Sequence, residues 1–124
     1  MNTRHAPLAV IIEDEPNLSQ IYALAVEAAE FSAKTFLNGE EALNALKTLQ
    51  PSIIVLDLHL PGVSGDEILK YIRSDKRLAN TKVILITADS GMASVLDPET
   101  DLTLLKPVSY HQLRDLVKRL REAF

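Results

Sequence analysis

Four polar groups in this 124-residue sequence each stand at the end of an apolar run. Glu13, Asp14 and Glu15 follow Leu8 to Ile12. Asp57 follows Ile53 to Leu56, Thr87 closes Val83 to Ile86, and Lys106 follows Leu102 to Leu105. Carboxylates crowded together repel, and each needs compensation. A hard divalent cation supplies it, and Mg²⁺ takes oxygen ligands, keeps several waters and often uses one or two carboxylates plus a phosphate. Asp14 and Asp57 are expected to ligate such an ion directly and Glu13 through a water, with the backbone carbonyl of His59 completing the shell. Asp57 can also act as a nucleophile towards phosphorus and form an aspartyl phosphate. Phosphoryl transfer needs positioning and charge neutralisation more than acid–base work. Lys106 would cover the developing charge on the side away from the metal, as a compact cation. The Thr87 hydroxyl would donate to a phosphoryl oxygen, and small Ala88 leaves room for it.

Each piece alone has a plainer reading. The acidic triplet fits a cap on the positive end of the next helix. A strand-end threonine is common because it is β-branched, and a lone lysine is usually solvated. Asp57, directly after Ile-Ile-Val-Leu, escapes these readings. His59 reads as a partly exposed loop side chain, with control of water near the phosphoryl group as its functional alternative. His5 falls in the N-terminal stretch and His111 in the first turn of the last helix; no two histidines have metal-ligand spacing.

The elements that must position these residues alternate. Leu8 to Ile12, Ile53 to Leu56 and Val83 to Ile86 are buried-strand runs, Ala33 to Phe36 resembles an edge strand, and Leu102 to Leu105 is a weaker fifth strand. Pro16 opens a helical pattern with Leu18, Ile21, Tyr22, Ala25 and Ala29 inward. Asn38 and Glu41 cap a second helix with Leu43, Leu46 and Leu49 inward. Ser64 with Glu67 precedes Ile68, Leu69 and Ile72, and Ser109 with Gln112 precedes Leu113, Leu116, Val117 and Leu120. Ala88 to Asp101, with Gly91, Pro98 and few apolar residues, is the least readable stretch. Alternation of this kind implies an α/β fold, a parallel sheet with helices on both faces. In such a sheet the carboxyl ends of the strands share one rim, where ligands bind. One domain over 1–124 is expected, with an ordered core from about residue 7.

Composition excludes other classes. There is no cysteine, so disulfide scaffolds and thiolate chemistry are out. A net charge of −4 without runs of one sign argues against direct binding to nucleic acid or an anionic membrane. No apolar run is long enough to cross a bilayer, and Met1 to Pro7 lacks a signal-peptide core, so a cytoplasmic location is expected. The loop Leu60 to Gly65 reads as a tight turn without the lysine of a nucleotide-binding loop, and no GxGxxG occurs.

Ile12-Glu13-Asp14-Glu15, Leu56-Asp57-Leu58-His59-Leu60-Pro61-Gly62, Thr87-Ala88 and Lys106-Pro107 together resemble the receiver domains of two-component response regulators. The resemblance spans nearly the whole chain. It implies a flavodoxin-like fold with strand order 2-1-3-4-5, bound Mg²⁺, and a sensor histidine kinase or histidine phosphotransfer protein as donor. Asp57 is the implied acceptor, Asp14 the direct metal ligand, Glu13 its water-mediated neighbour, and Thr87 and Lys106 the pair sensing the phosphoryl group. A downstream protein target and a weak homodimer are further implied partners, with self-phosphorylation and self-dephosphorylation but no turnover of substrate. Two features depart from the family. Thr103 stands where an aromatic residue is frequent, and the stretch between Thr87 and Lys106 is short and lacks a Gly-Ala element.

Other readings make different demands. A phosphatase of the haloacid dehalogenase type needs a second aspartate where His59 stands. A flavodoxin needs a phosphate site where the first loop is acidic. A phosphorylation-independent interaction module on the same fold draws on Thr103 and the unusual 88–101 stretch.

Overall fold

The computed structural model describes residues 6–122, so His5 lies outside the described residues. Five strands, β1 (Leu8–Ile12), β2 (Ser32–Phe36), β3 (Ile53–Asp57), β4 (Lys82–Thr87) and β5 (Leu102–Leu105), alternate with five helices. These are α1 (Pro16–Ala28), α2 (Gly39–Leu46), α3 (Gly65–Ser74), α4 (Ser90–Leu96) and α5 (Tyr110–Glu122). The sheet is wholly parallel, ordered β2-β1-β3-β4-β5, as expected of a flavodoxin-like fold. Among the described residues, no helix is long and apolar enough to cross a membrane.

The unbroken apolar strands follow from burial on both faces, since successive side chains point to opposite sides. Val10, Ile12, Ile54, Leu56, Val83 and Leu85 pack with Ala42 and Leu46 of α2, Ile68, Leu69 and Ile72 of α3, and Leu96 of α4. Ala9, Ile11, Ile53, Val55, Ile84 and Ile86 pack with Tyr22, Ala25 and Val26 of α1 and Leu113 and Val117 of α5. Each Val, Leu or Ile side chain among them contributes about 1.5–3 kcal/mol on burial. That surplus lets the sheet carry costly buried acids at one end.

The helix starts follow the capping logic. Asn38 Oδ1 accepts from the Glu41 N–H at 2.9 Å, and Ser109 Oγ from Gln112 at 3.0 Å. Glu67 accepts from both the backbone N–H and the hydroxyl of Ser64. Inward faces differ from expectation in places. Ile21 is exposed and Val26 takes its place, because α1 presents Tyr22, Ala25 and Val26, with the capping Ala29 after it, to the sheet. Leu43 is half-buried, and Leu49 lies past the end of α2 yet still packs on the core. Leu116 is also only half-buried. The 88–101 stretch forms the seven-residue α4 and a 3₁₀ turn, Asp97–Glu99, with only Ala93 and Leu96 buried.

Two arginines tie the far end of the sheet together. Arg73 donates through Nε to Glu99 O (2.8 Å), Nη1 to Thr81 O (3.1 Å) and Nη2 to Asp101 Oδ2 (3.1 Å). The same Asp101 oxygen accepts the Val83 N–H at 2.7 Å. Arg77 reaches the Leu49 carbonyl at 2.9 Å and also bonds that of Leu46, where α2 leaves carbonyls without helical partners.

Gly39, at the start of α2, lies hard against the loop that follows β3. A Cβ there would sit 2.0 Å from the Val63 carbonyl oxygen. Gly39→Ala is therefore expected to destabilise the fold by about 3 kcal/mol, although alanine favours helix. Thermal unfolding checks this; an unchanged midpoint would mean that the loop yields freely.

Candidate functional site

The carboxyl rim of the sheet is built by backbone bonds that run past the strands. Glu13 N donates to Phe36 O (3.1 Å), Leu58 N to Ile86 O (3.2 Å) and Lys106 N to Thr87 O (2.9 Å). The residues that end β1, β3, β4 and β5 are thereby held level. Gly65 lets α3 begin directly beneath Asp57, since a Cβ there would lie 2.5 Å from the Asp57 carbonyl oxygen.

The acidic triplet divides its labour. Glu15 is the N-cap of α1, its carboxylate accepting from the N–H groups of Asn17 (3.1 Å) and Leu18 (3.0 Å). The capping reading is thus right for Glu15. Glu13 and Asp14 are left for other work. Glu13 Oε2 accepts from the Glu15 N–H at 3.1 Å, which turns its other oxygen towards the rim. Carboxylate oxygens of Glu13, Asp14 and Asp57 lie within 4.8 Å of one another. Glu13 and Asp57 are only 1% and 4% exposed, while Asp14 is open to solvent.

Lys106 reaches this cluster from the far strand. Its Nζ lies 3.2 Å from Glu13 Oε1 and 3.5 Å from Asp57 Oδ1. The Lys106–Pro107 peptide bond is cis. Burial pushes the carboxyls of both Glu13 and Asp57 above their ordinary range, and for Glu13 the neighbouring Asp57 charge adds to it. Lys106 and the His59 N–H only partly offset this at Asp57. Burial would pull the Lys106 ammonium down, but the two carboxylates outweigh it and its pKa is raised. The set is short by two positive charges: three acids face a single ammonium. An all-oxygen, anionic donor set with two buried members fits a hard divalent cation.

Thr87 is fully buried at the end of β4, and its Oγ1 accepts from the Asp89 N–H at 3.0 Å. Asp89 in turn caps α4 through Met92 N at 3.0 Å. The sequence reading missed Asp89; its signal was an aspartate directly before Ser90-Gly91. The His59 side chain is largely exposed, with Nε2 3.7 Å from Asp89 Oδ2, which agrees with a loop side chain beside the pocket. Thr103 instead pairs its hydroxyl with that of Thr100 at 2.7 Å, away from the rim.

The model of the response regulator receiver domain family matches residues 9–118. The chain is similar to the phosphate regulon transcriptional regulatory protein PhoB of Rhizobium meliloti, 32% identical over 117 residues, covering 92% of this chain and 52% of PhoB. It spans about half the length of the curated relatives it matches first. Among solved structures, a receiver domain of the Francisella response regulator 1452 shares 26% identity, with a TM-score of 0.81 over 94% of this chain and 98% of that one. The chemotaxis response regulator CheY4 of Vibrio cholerae, at 19% identity, shares the fold at a TM-score of 0.84 over 93% and 98%. With the fold, the rim and the match over residues 9–118 in agreement, the chain belongs to the response regulator receiver domains of two-component signalling.

Proposed function

We propose that this domain takes a phosphoryl group onto Asp57 from a phosphohistidine, borne by a sensor histidine kinase or a histidine phosphotransfer protein. The observation that carries the reading is the convergence of Glu13, Asp14, Asp57 and Lys106 on one point from three strands. An Asp57 side-chain oxygen attacks phosphorus, and the P–N bond to the donor histidine breaks. The imidazole keeps that electron pair and takes a proton from water. Asp14 and Asp57 would hold Mg²⁺ directly, Glu13 through a water, and the His59 carbonyl would complete the shell. When bound, the metal supplies charge neutralisation on one side of the transferred group. Lys106 neutralises the other side, and Thr87 donates its hydroxyl proton to a phosphoryl oxygen. Because Thr87 also accepts from Asp89 N–H, its engagement acts on the cap of α4. The domain is not a turnover enzyme; it acts in the cytoplasm, and its output passes by protein–protein contact or phosphoryl relay, including a weak homodimer.

Incubation with Mg²⁺ and a small acyl phosphate is expected to give one phosphoryl adduct by intact mass, and none with excess chelator. Absence of the adduct in Mg²⁺ would overturn the proposal. The short α4 and the Thr100–Thr103 pair favour a second reading, a phosphorylation-independent module. That reading gains if beryllofluoride with Mg²⁺ leaves the spectrum unchanged.

A further inference from the structure

Tyr22 is a buried polar group for which the site described above has no use. It is 1% exposed, and its hydroxyl has no hydrogen-bond partner among the described residues. A buried hydroxyl without a partner is costly relative to one that is paired. Phenylalanine would fill the same space without that cost. The ring belongs to the core layer shared with Val108 and Leu113, immediately after the Lys106–Pro107 step.

Its direction is set by the helix. Tyr22 lies six residues into α1, about 9 Å from the first residue along the axis. Long helical side chains lean back towards the N-terminus. In α1 that end meets the rim, directly after Glu13 and Asp14. Consistent with this, the phenol is pushed up by burial and then feels Lys106 most strongly, followed by Glu13 and Asp57. The ammonium has three protons to donate, and the structure uses them on only two carboxylates.

We propose that Tyr22 is a positioning residue for Lys106: its phenolic oxygen accepts from the ammonium, and its O–H donates a hydrogen bond to Glu13 Oε1, when Lys106 leaves Glu13 for the phosphoryl group. This rests on the reading of Asp57 as phosphoacceptor. A neutral acceptor holds the ammonium without competing for its charge. The donated phenol O–H replaces the ammonium hydrogen bond that Glu13 loses, so neither buried group is left without a partner.

Tyr22→Phe separates this role from packing. The variant is expected to melt at or above the wild-type temperature, because an unpaired hydroxyl is removed. Its rate of phosphorylation by an acyl phosphate is expected to fall about fivefold, the size of one net hydrogen bond. A second readout needs no phosphoryl transfer: the ¹⁵Nζ and ¹³Cε resonances of Lys106 in protein saturated with Mg²⁺ and beryllofluoride, a phosphoryl mimic that draws Lys106 from Glu13. They are expected to differ between wild type and Tyr22→Phe. Identical Lys106 resonances, or an unchanged phosphorylation rate with a lowered melting temperature, would overturn the proposal. If wild type itself forms no adduct, the phosphoacceptor reading fails, and the resonances alone decide whether Tyr22 contacts Lys106.

Discussion

Asp57→Asn is expected to abolish the phosphoryl adduct and, without metal, to make the protein more stable. The first result follows from chemistry: an amide oxygen is a poor nucleophile, and its phosphoryl product would not persist. The second follows from the charge excess on the rim. Asp57 is almost wholly buried, and burial outweighs the help of Lys106, so the fold disfavours its ionised form. A neutral isostere removes that cost and part of the repulsion on Glu13. The gain is on the order of 1 kcal/mol, a rise of a few degrees in melting temperature. Linkage fixes the pH trend. A carboxyl raised on folding binds its proton more tightly in the native state, so it stabilises fully below the ordinary carboxyl value. That value is 3.8 for Asp57. The stabilisation is lost as pH rises through the elevated native value. Metal-free wild type should therefore lose stability in that window more steeply than Asp57→Asn. Melting curves across pH with chelator check this, and a lower melting temperature for the variant at neutral pH would refute it.

Lys106→Met should do the reverse. It keeps most of the apolar stem but leaves Glu13 and Asp57 buried side by side with no cation. Removing one member of a buried charge cluster costs several kcal/mol; with Lys106 about a quarter exposed, about 2–3 kcal/mol is expected. Added Mg²⁺ should restore much of that loss, since binding to the native state alone stabilises by mass action. Phosphorylation from an acyl phosphate should slow about 10²- to 10³-fold, the effect of losing one preorganised charge at a reacting oxyanion. The two variants thus move metal-free stability in opposite directions while both impair phosphorylation. A general packing defect would not give that pattern. Equal phosphorylation rates for wild type and Lys106→Met would remove Lys106 from the proposed chemistry.

Strands β1, β3 and β4 were legible because burial on both faces leaves an unbroken apolar run, which no exposed element imitates. Asp57 and Thr87 were legible as the first polar residues after such runs and Lys106 as the residue after the weaker β5, and the structure places Asp57 and Lys106 together. Helix orientation was harder to read. In α1, Ile21 and Val26 are both apolar and both near the stripe, and only the contact with the sheet decides which turns inward. The α4 region resisted because seven residues with a glycine and two buried side chains carry no clear period. Arg73, Arg77 and Asp101 were not anticipated, since bonds from a side chain to a distant carbonyl leave no repeat in sequence. Tyr22 was seen as one more apolar position; its hydroxyl gains meaning only in the role proposed for it towards Lys106 and Glu13.

Arg73 and Asp101 have a mechanical consequence. They fasten the amino end of β5 to α3 and β4 at the edge of the molecule remote from Asp57. The opposite end, Leu105 with its half-exposed side chain and then Lys106, has no such fastening from α3. A beam clamped at one end deflects most at its tip. Any pull on Lys106 is therefore felt least at Leu102 and most at the exposed Leu105, so β5 works as a cantilever anchored at its amino end and held at its charged tip by backbone bonds to β4 alone, such as Lys106 N to Thr87 O.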